Sequence, residues 1–344
     1  MSGGTVTEPT AQPTATGSIA LGINPYGLTY TLGLQGAGTP RANPDGTGLD
    51  GFIEIASGIG ARSIEIFSPW LTELGTAGRA DVKARLADLG IAPIVSAGLS
   101  EGIDDPLQNA IDLDARTMRF GLSPILCGDR NAFGAARFAE LITDIRAGLG
   151  ALAPRAADHG VTVAVENHQD FGSAELLAFA EEAGDNVGLT LDTANPFPVA
   201  ESPLSFARAV AHRVRHVHLK DYRVQFTDEG FRLVRCALGD GVVPFREVLE
   251  TLLATGQTFT SSLELAALEA RHVRLLTPDW WNGYPPKDAR ALAEVFAAAR
   301  PNLIPEDEDY RTPWERQEDG ELVAYENDQL QRSTVFLRSL ELFD

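Results

Sequence analysis

From residue 18 onward, short apolar runs alternate with longer amphipathic stretches eight times in order, and that alternation leaves few architectures open. The expected strands are SIALGINP, ARSIEIFS, IAPIVSAG, SPILCGD, VTVAVENH, NVGLTLDT, VRHVHLKD and TFTSSLEL. Helical periodicity fills the gaps: GLDGFIEIASGIG, ADVKARLADLG, DPLQNAIDLDARTMRFG, a long stretch from about Gly134 to His159, ELLAFAEEAG, SPLSFARAVAHR and PFREVLETLLATG. Strand followed by helix, eight times over, is the pattern of an α/β protein of the (β/α)8 TIM-barrel type. A doubly wound open sheet is the fallback, but no GxGxxG turn follows the first strand.

The barrel is expected over residues 18–300. Residues 1–17, rich in Gly, Thr and Pro, read as a disordered tail. Residues 301–344 form an acidic, aromatic extension ending in the helix-like LQRSTVFLRSLELF, expected to pack on the barrel or on a partner subunit. The stretch Ala266 to Lys287, containing DWWNGYP, is a long insertion after the eighth strand and belongs at the barrel mouth.

Bulk properties exclude several function classes. A net charge of −20 argues against nucleic acid as a partner, because phosphates demand Lys and Arg surfaces. No apolar run reaches the roughly 20 residues that span a bilayer. The first basic residue is Arg41, so the charged region that opens a signal peptide is missing. Cys127 and Cys236 are too few for a disulfide framework. A soluble protein of the reducing cytoplasm is the expectation.

Four of the apolar runs end in metal-binding residue types: Glu166, Asp192, His218 and Glu264, spaced 26, 26 and 46 residues apart. The C-terminal ends of parallel barrel strands converge on one mouth, so the four side chains are expected to meet. Three carboxylates and an imidazole suit a divalent metal such as Mn²⁺, Mg²⁺, Co²⁺ or Zn²⁺. Any one of these acids alone reads as a salt bridge or helix cap, but four in register are hard to explain that way. Alternation along the strands puts His168 on the face of Glu166, and Lys220 and His216 on the face of His218. Asn195 follows Asp192 by three residues.

The ENH, LDTAN, HxHxKD and final LE segments, with LGDGVVPF, resemble the xylose-isomerase-like sugar isomerase/epimerase superfamily over roughly residues 19–300. That resemblance implies one divalent ion, most often Mn²⁺, held by Glu166, Asp192, His218 and Glu264. In ketose epimerases of the group the two glutamates also shuttle protons. Such enzymes often carry His three residues after the Asp ligand, where this chain has Asn195, which speaks against plain ketose epimerisation. ENH and DWWNGYP further resemble the larger subunit of bacterial C-glycoside deglycosidases, which act on 3-oxo-glucosides and pair with a small β-sheet subunit in a hetero-oligomer. This implies His168 as general base at C2, a metal-stabilised enediolate and β-elimination of the aglycone. The proton donor stays open among Lys220, a neighbouring carboxylate and a partner-subunit residue. The alternative is isomerisation or epimerisation of a ketose, inosose or hydroxypyruvate.

Weaker candidates complete the set. Trp280, Trp281 and Tyr284 either stack on the substrate or anchor their loop. Glu65 either contacts a substrate hydroxyl or sits in a buried ion pair. Asn24, Tyr26 and His216 read as structural. An abasic-site endonuclease would need a His-rich zinc cluster and a cationic face, which six histidines and the acidic charge oppose. A non-catalytic sugar-binding subunit is opposed by the intact quartet.

Overall fold

A computed structural model describes residues 17–343 of the chain; the expected tail lies, but for its last residue, outside the described residues. Nine parallel strands form one closed sheet of eight staves. The first stave is split into β1 (Ser18–Ala20) and β2 (Gly22–Ile23), and the next are β3 (Ser63–Phe67), β4 (Ala92–Gly98) and β5 (Thr117–Gly121). Then come β6 (Thr162–Glu166), β7 (Val187–Asp192) and β8 (Val214–Leu219). The eighth stave, β11 (Thr258–Leu263), pairs with β8 on one side and with β1 and β2 on the other, which closes the barrel. Gly22 sits where the staves crowd: a Cβ there would lie 2.1 Å from Ser63 Oγ and 2.2 Å from the Ser261 carbonyl oxygen.

Helices α1 (Gly48–Gly58), α2 (Ser68–Leu89), α3 (Asp104–Leu113), α4 (Arg130–Phe133), α5 (Ala135–Asp158), α6 (Ser173–Ala183), α7 (Pro203–Val210) and α8 (Phe245–Leu253) cover the outside. None among the described residues is long and apolar enough to cross a membrane. The (β/α)8 barrel is therefore as expected, with one strand misplaced by sequence. The fourth stave is TMRFG, not SPILCGD. Asp114 takes a left-handed conformation (φ 56°) that ends α3, and the chain turns directly into β5. SPILCGD becomes a loop: Pro124 cannot donate to a ladder, and Cys127 itself has φ 58°.

A second, antiparallel sheet was not anticipated. Strands β9 (Tyr222–Thr227), β10 (Gly230–Arg235) and β12 (Arg271–Val273) stack in the order β12-β10-β9 beside the barrel. Its inner face is apolar, and Phe231 meets Phe197, Phe226 and Phe296 at centroid distances of 6.3, 6.4 and 6.4 Å. Between β8 and β9, the buried Asp221 accepts five backbone N–H groups, from Tyr222, Gly239, Gly241, Val242 and Val243. A Cβ on Gly241 would come within 2.2 Å of the Asp221 carboxylate, so only glycine fits.

After α9 (Ala289–Ala298), the extension returns as α10 (Leu322–Ser339), with Leu322, Leu330 and Leu337 buried. From α10, the buried Glu326 accepts the backbone N–H groups of Tyr30 (3.0 Å) and Thr31 (2.8 Å) and the Thr31 hydroxyl (2.7 Å). Arg235 of β10 donates to Gln329 Oε1 of α10 and to the carbonyl oxygens of Gly27 and Ala266. The extension thus braces the loops that follow the first and the last staves.

Candidate metal centre

The barrel converges four side chains as the spacing required. Glu166 ends β6, Asp192 ends β7, His218 lies on β8 and Glu264 follows β11; one ligand atom from each lies within 4.8 Å of all the others. All four are buried. His218 Nδ1 faces Glu166 Oε1 at 3.0 Å and Glu264 Oε2 at 2.9 Å, while its Nε2 meets Glu65 Oε2 at 2.7 Å.

Glu65 was expected to touch substrate or form an ion pair; it is an ion-pair partner. It lies on the far side of the His218 ring and also accepts from Ser262 Oγ (3.2 Å) and His216 Nε2 (3.3 Å). A carboxylate behind a ligating histidine fixes the ring and its tautomer. Asn195 likewise bonds a ligand: its Nδ2 donates to Asp192 Oδ2 (2.8 Å) and its backbone N–H to Oδ1 (3.1 Å), leaving its own Oδ1 buried and unpartnered. Lys220 joins two ligands, bonding Asp192 Oδ2 at 2.6 Å and also Glu264. Burial opposes its charge, but Asp192 and Glu264 outweigh burial and hold the ammonium well above its usual range.

Two partners of the glutamates were not identified from sequence as functional. Arg119 of β5 is buried and ion-paired to Glu166, and Asn24 donates to Glu264. Arg119 was hidden because TMRFG read as the tail of a helix; its alternation of Met118 and Phe120 around an inward Arg is a strand signal.

The charges test whether a cation fits. Glu65, Glu166, Asp192 and Glu264 are four buried carboxylates, and Arg119 and Lys220 are two fixed cations. Two negative charges remain, the amount a divalent ion balances. The same field acts on His218: burial disfavours its charge, yet Glu65, Glu264 and Glu166 raise its pKa well above the usual value. A metal would displace that proton. Charge and donor chemistry both fit a hard or borderline divalent cation.

His168 lies past the end of β6, half-buried, with no hydrogen bond to its ring among the described residues. Burial, with help from the Arg119 and Lys220 charges, lowers its pKa to about 4. Its neighbour Gln169 is held left-handed (φ 69°), and Gln169 receives N–H bonds from Cys127 and Gly128. Arg130 donates twice to the Asp170 carbonyl oxygen and also reaches Glu175 and Gly283. The loop carrying His168 is therefore held by hydrogen bonds on both sides of Gln169.

The three aromatic side chains, expected either to stack on substrate or to anchor their loop, all donate to main-chain carbonyls. Trp280 Nε1 donates to the Cys127 carbonyl (2.9 Å), Tyr284 Oη to the Gly128 carbonyl (2.9 Å) and Trp281 Nε1 to the Leu275 carbonyl (2.8 Å). Trp280 and Tyr284 stack on each other at 4.7 Å, and Arg130 sits 3.9 Å from the Tyr284 ring. A cavity of about 520 Å³ opens at the C-terminal ends of β4 and β5, lined by Tyr26, Gly98, Gly121 and Ser123 among others. Larger hollows between β10 and the extension hold no ligand set.

Asp170 gives a pH-dependent prediction. Burial pushes its carboxyl up to about 7, against hydrogen bonds from Ser123 Oγ (2.7 Å) and the Phe171 N–H (2.9 Å). A folded-state pKa above the unfolded one means the unfolded chain holds fewer protons, so this group loses stability as pH rises from about 4 to about 7. Asp170→Asn keeps both contacts without the charge. Its melting temperature is expected to exceed wild type at pH 8 and to match it at pH 4; a lower value at pH 8 would contradict the assignment.

The sequence pattern of the xylose isomerase-like TIM barrel family matches residues 53–297, and the chain belongs to that family. Two relatives are similar over part of their length. The uncharacterized protein YihM of Escherichia coli (strain K12) is 26% identical over 175 residues, which cover 51% of this chain and 51% of YihM. Inosose dehydratase of Geobacillus thermodenitrificans (strain NG80-2) is 30% identical over 124 residues, covering 32% of this chain and 42% of that protein. The chain thus spans about half, or less, of the length of these curated relatives. Among solved structures, a D-tagatose 3-epimerase-like protein aligns with a TM-score of 0.53 at 16% identity, covering 81% of this chain and 98% of that one, a likeness of fold.

Proposed function

We propose that the protein is a divalent-metal-dependent lyase that eliminates the aglycone from a 3-oxo-glucoside, a C-glycoside among them. The observation that carries this reading is the pairing of both glutamates with cations: Glu166 with Arg119, and Glu264 with Lys220. Epimerisation at one carbon needs two exchangeable acid–base groups on opposite faces of the substrate. Glu166 and Glu264 are each committed to a buried cation, which leaves neither free for that exchange. The half-buried His168, free of any hydrogen bond among the described residues, remains as a single base, which suits a one-way elimination. The relative named inosose dehydratase supports the reaction type, since loss of water next to a ketone is also a β-elimination.

A divalent ion held by Glu166, Asp192, His218 and Glu264, Mn²⁺ in this proposal, would supply positive charge that stabilises oxyanion character at the ketone. His168, neutral because burial disfavours its charge, accepts the C2 proton through a ring nitrogen. The C2–H electron pair becomes the C1=C2 bond, and the bond from C1 to the aglycone leaves with its own pair. The aglycone gains a proton, and the products are the free aglycone and a 1,2-unsaturated 3-keto sugar. Lys220, shared by Asp192 and Glu264, keeps those carboxylates in place and is a weak proton donor. Asn195 orients Asp192.

His168→Ala is expected to keep its metal content while losing about 10²- to 10⁴-fold in kcat for aglycone release, measured by mass spectrometry with a 3-oxo-C-glucoside. Undiminished release in that variant removes His168 as the base. Interconversion of a free ketose by the wild type, with no aglycone released, replaces the lyase by an isomerase or epimerase. A small β-sheet partner subunit belongs to the same proposal, and co-purification with the tagged chain tests it.

A further inference from the structure

Two glycines end neighbouring staves at the barrel mouth. Gly98 closes β4, Gly121 closes β5, and the register sets them side by side. Gly121 shares the inward face of Arg119, and Gly98 that of the buried Ser96. Neither position demands glycine. Gly98 is extended (φ −140°, ψ 161°), and Gly121 has no positive φ. A Cβ on Gly98 would meet nothing nearer than the Gly121 carbonyl oxygen at 3.6 Å, and one on Gly121 nothing nearer than Arg119 Nη1 at 3.5 Å. At Gly22 and Gly241, by contrast, the first neighbour would stand 2.1 Å and 2.2 Å away. Glycine weakens a strand, and where neither crowding nor backbone asks for it, what it provides is space.

That space is the floor of the cavity of about 520 Å³. Its walls are mainly apolar, built from Leu99, Leu122, Pro124, Leu141 and the ring of Tyr26. Phe67 meets the Tyr26 ring edge-on at 4.9 Å, and Trp70 meets Phe67 at 5.2 Å, so the ring is held in place. The charged side chains lining the cavity, Glu101 and Asp144, are both acidic. Arg119, close to the floor, is taken by Glu166. The opposite wall also leads to the metal centre: the Tyr26 N–H donates to Asn24 Oδ1, and Asn24 donates to Glu264.

We infer that the cavity over Gly98 and Gly121 receives the leaving group, an uncharged flat ring, and that the two glycines set how large this group can be. The assignment to the leaving group rests on the lyase reading, and the order of the staves supports it. The quartet comes from β6, β7, β8 and the end of β11; His168 stands past β6, and the cavity lies past β5 and β4. With the C3 ketone toward the metal and the C2 hydrogen at His168, the substituent on C1 comes next in the same direction. Walls of leucine, proline and tyrosine suit a ring with few polar atoms. The two carboxylates turn away an anion.

Titration of the full chain with 2-naphthol and 2-naphthoate, flat rings that differ in charge, reads the cavity without turnover. Wild type is expected to bind 2-naphthol at least about tenfold more tightly than 2-naphthoate. In Gly98→Val and Gly121→Val the new side chain fills the space, and affinity for 2-naphthol should fall at least about tenfold. Because the backbone accepts a side chain at both places, the melting temperatures should equal or exceed wild type. A large fall in both makes the glycines structural and overturns the inference. So does 2-naphthol binding that survives in both variants, or a wild type that binds the two probes alike. Kinetics tie the cavity to the reaction: the ratio of kcat/KM for phenyl over methyl 3-oxo-glucoside should fall at least about tenfold in the same variants. An unchanged ratio overturns the leaving-group assignment. Loss of 2-naphthol binding in the variants, with no release from either glucoside by wild type, would sink the lyase and leave the cavity standing as a ring-binding site.

Discussion

Stripping the protein with a chelator is expected to abolish turnover and to lower its melting temperature by roughly 5–10 °C, and adding back a divalent cation should restore both. Glu65, Glu166, Asp192 and Glu264 are buried together, and Arg119 and Lys220 neutralise only half of their charge. A ligand that binds only the folded state at a thousandfold excess over its Kd stabilises by about 4 kcal/mol, which for a chain of this size corresponds to that shift. The effect has a pH sign. His218 must give up its proton to bind metal, and its surrounding carboxylates hold that proton tightly. Affinity should therefore rise with pH and fade on acidification. Scanning fluorimetry with and without chelator, repeated at two pH values, measures both; identical melting curves would remove the cation from the account.

The second large effect belongs to a residue outside the chemistry. Asp221→Asn is expected to lower stability by about 2–6 kcal/mol, seen as a melting temperature depressed by about 3–8 °C. All five partners of this carboxylate are N–H donors, at 2.9–3.0 Å. An amide in its place must aim its own NH₂ at two of them, or at three if it turns over. Each buried donor left unmet costs about 1–3 kcal/mol. Asp221→Glu has the charge but no room, since the loop closes on the carboxylate at Gly241. A melting temperature for Asp221→Asn within 2 °C or so of wild type would mean that the loop can reorganise around it.

The barrel was legible because buried parallel strands are near-continuous apolar runs, and TVAVE or VGLTLD announces itself that way. The quartet was legible for a related reason: a charged residue closing such a run has nowhere to go but the mouth. What failed was punctuation. α3 stops at an Asp in the left-handed conformation, a stop that Gly or Asn usually supplies, so the helical pattern ran on through TMRFG and concealed Arg119. The β9–β10 hairpin did carry a signal, since Tyr222, Val224 and Phe226 alternate before an Asp-Glu-Gly turn and Phe231 and Leu233 after it. It was masked by the expectation that a helix follows β8. Glu65 was legible only as a choice between a substrate contact and a buried ion pair, because its place depends on which side of the His218 ring each carboxylate occupies.

Glu326 reaches the backbone at Tyr30 and Thr31 across 296 and 295 residues of chain. Few contacts could be less local, and such contacts form only after most of the chain's entropy has been surrendered. The loop they fix begins beside Asn24, which holds Glu264, and the quartet itself draws on four staves. Those are the last four staves, so the C-terminal half-barrel carries every ligand, but Asn24, Glu65 and Arg119, which bond Glu264, His218 and Glu166, come from the N-terminal half. A chain lacking its N-terminal half would therefore offer stray cations four ligands with nothing to hold them in place, and the ordered site is tied to completion of the whole fold.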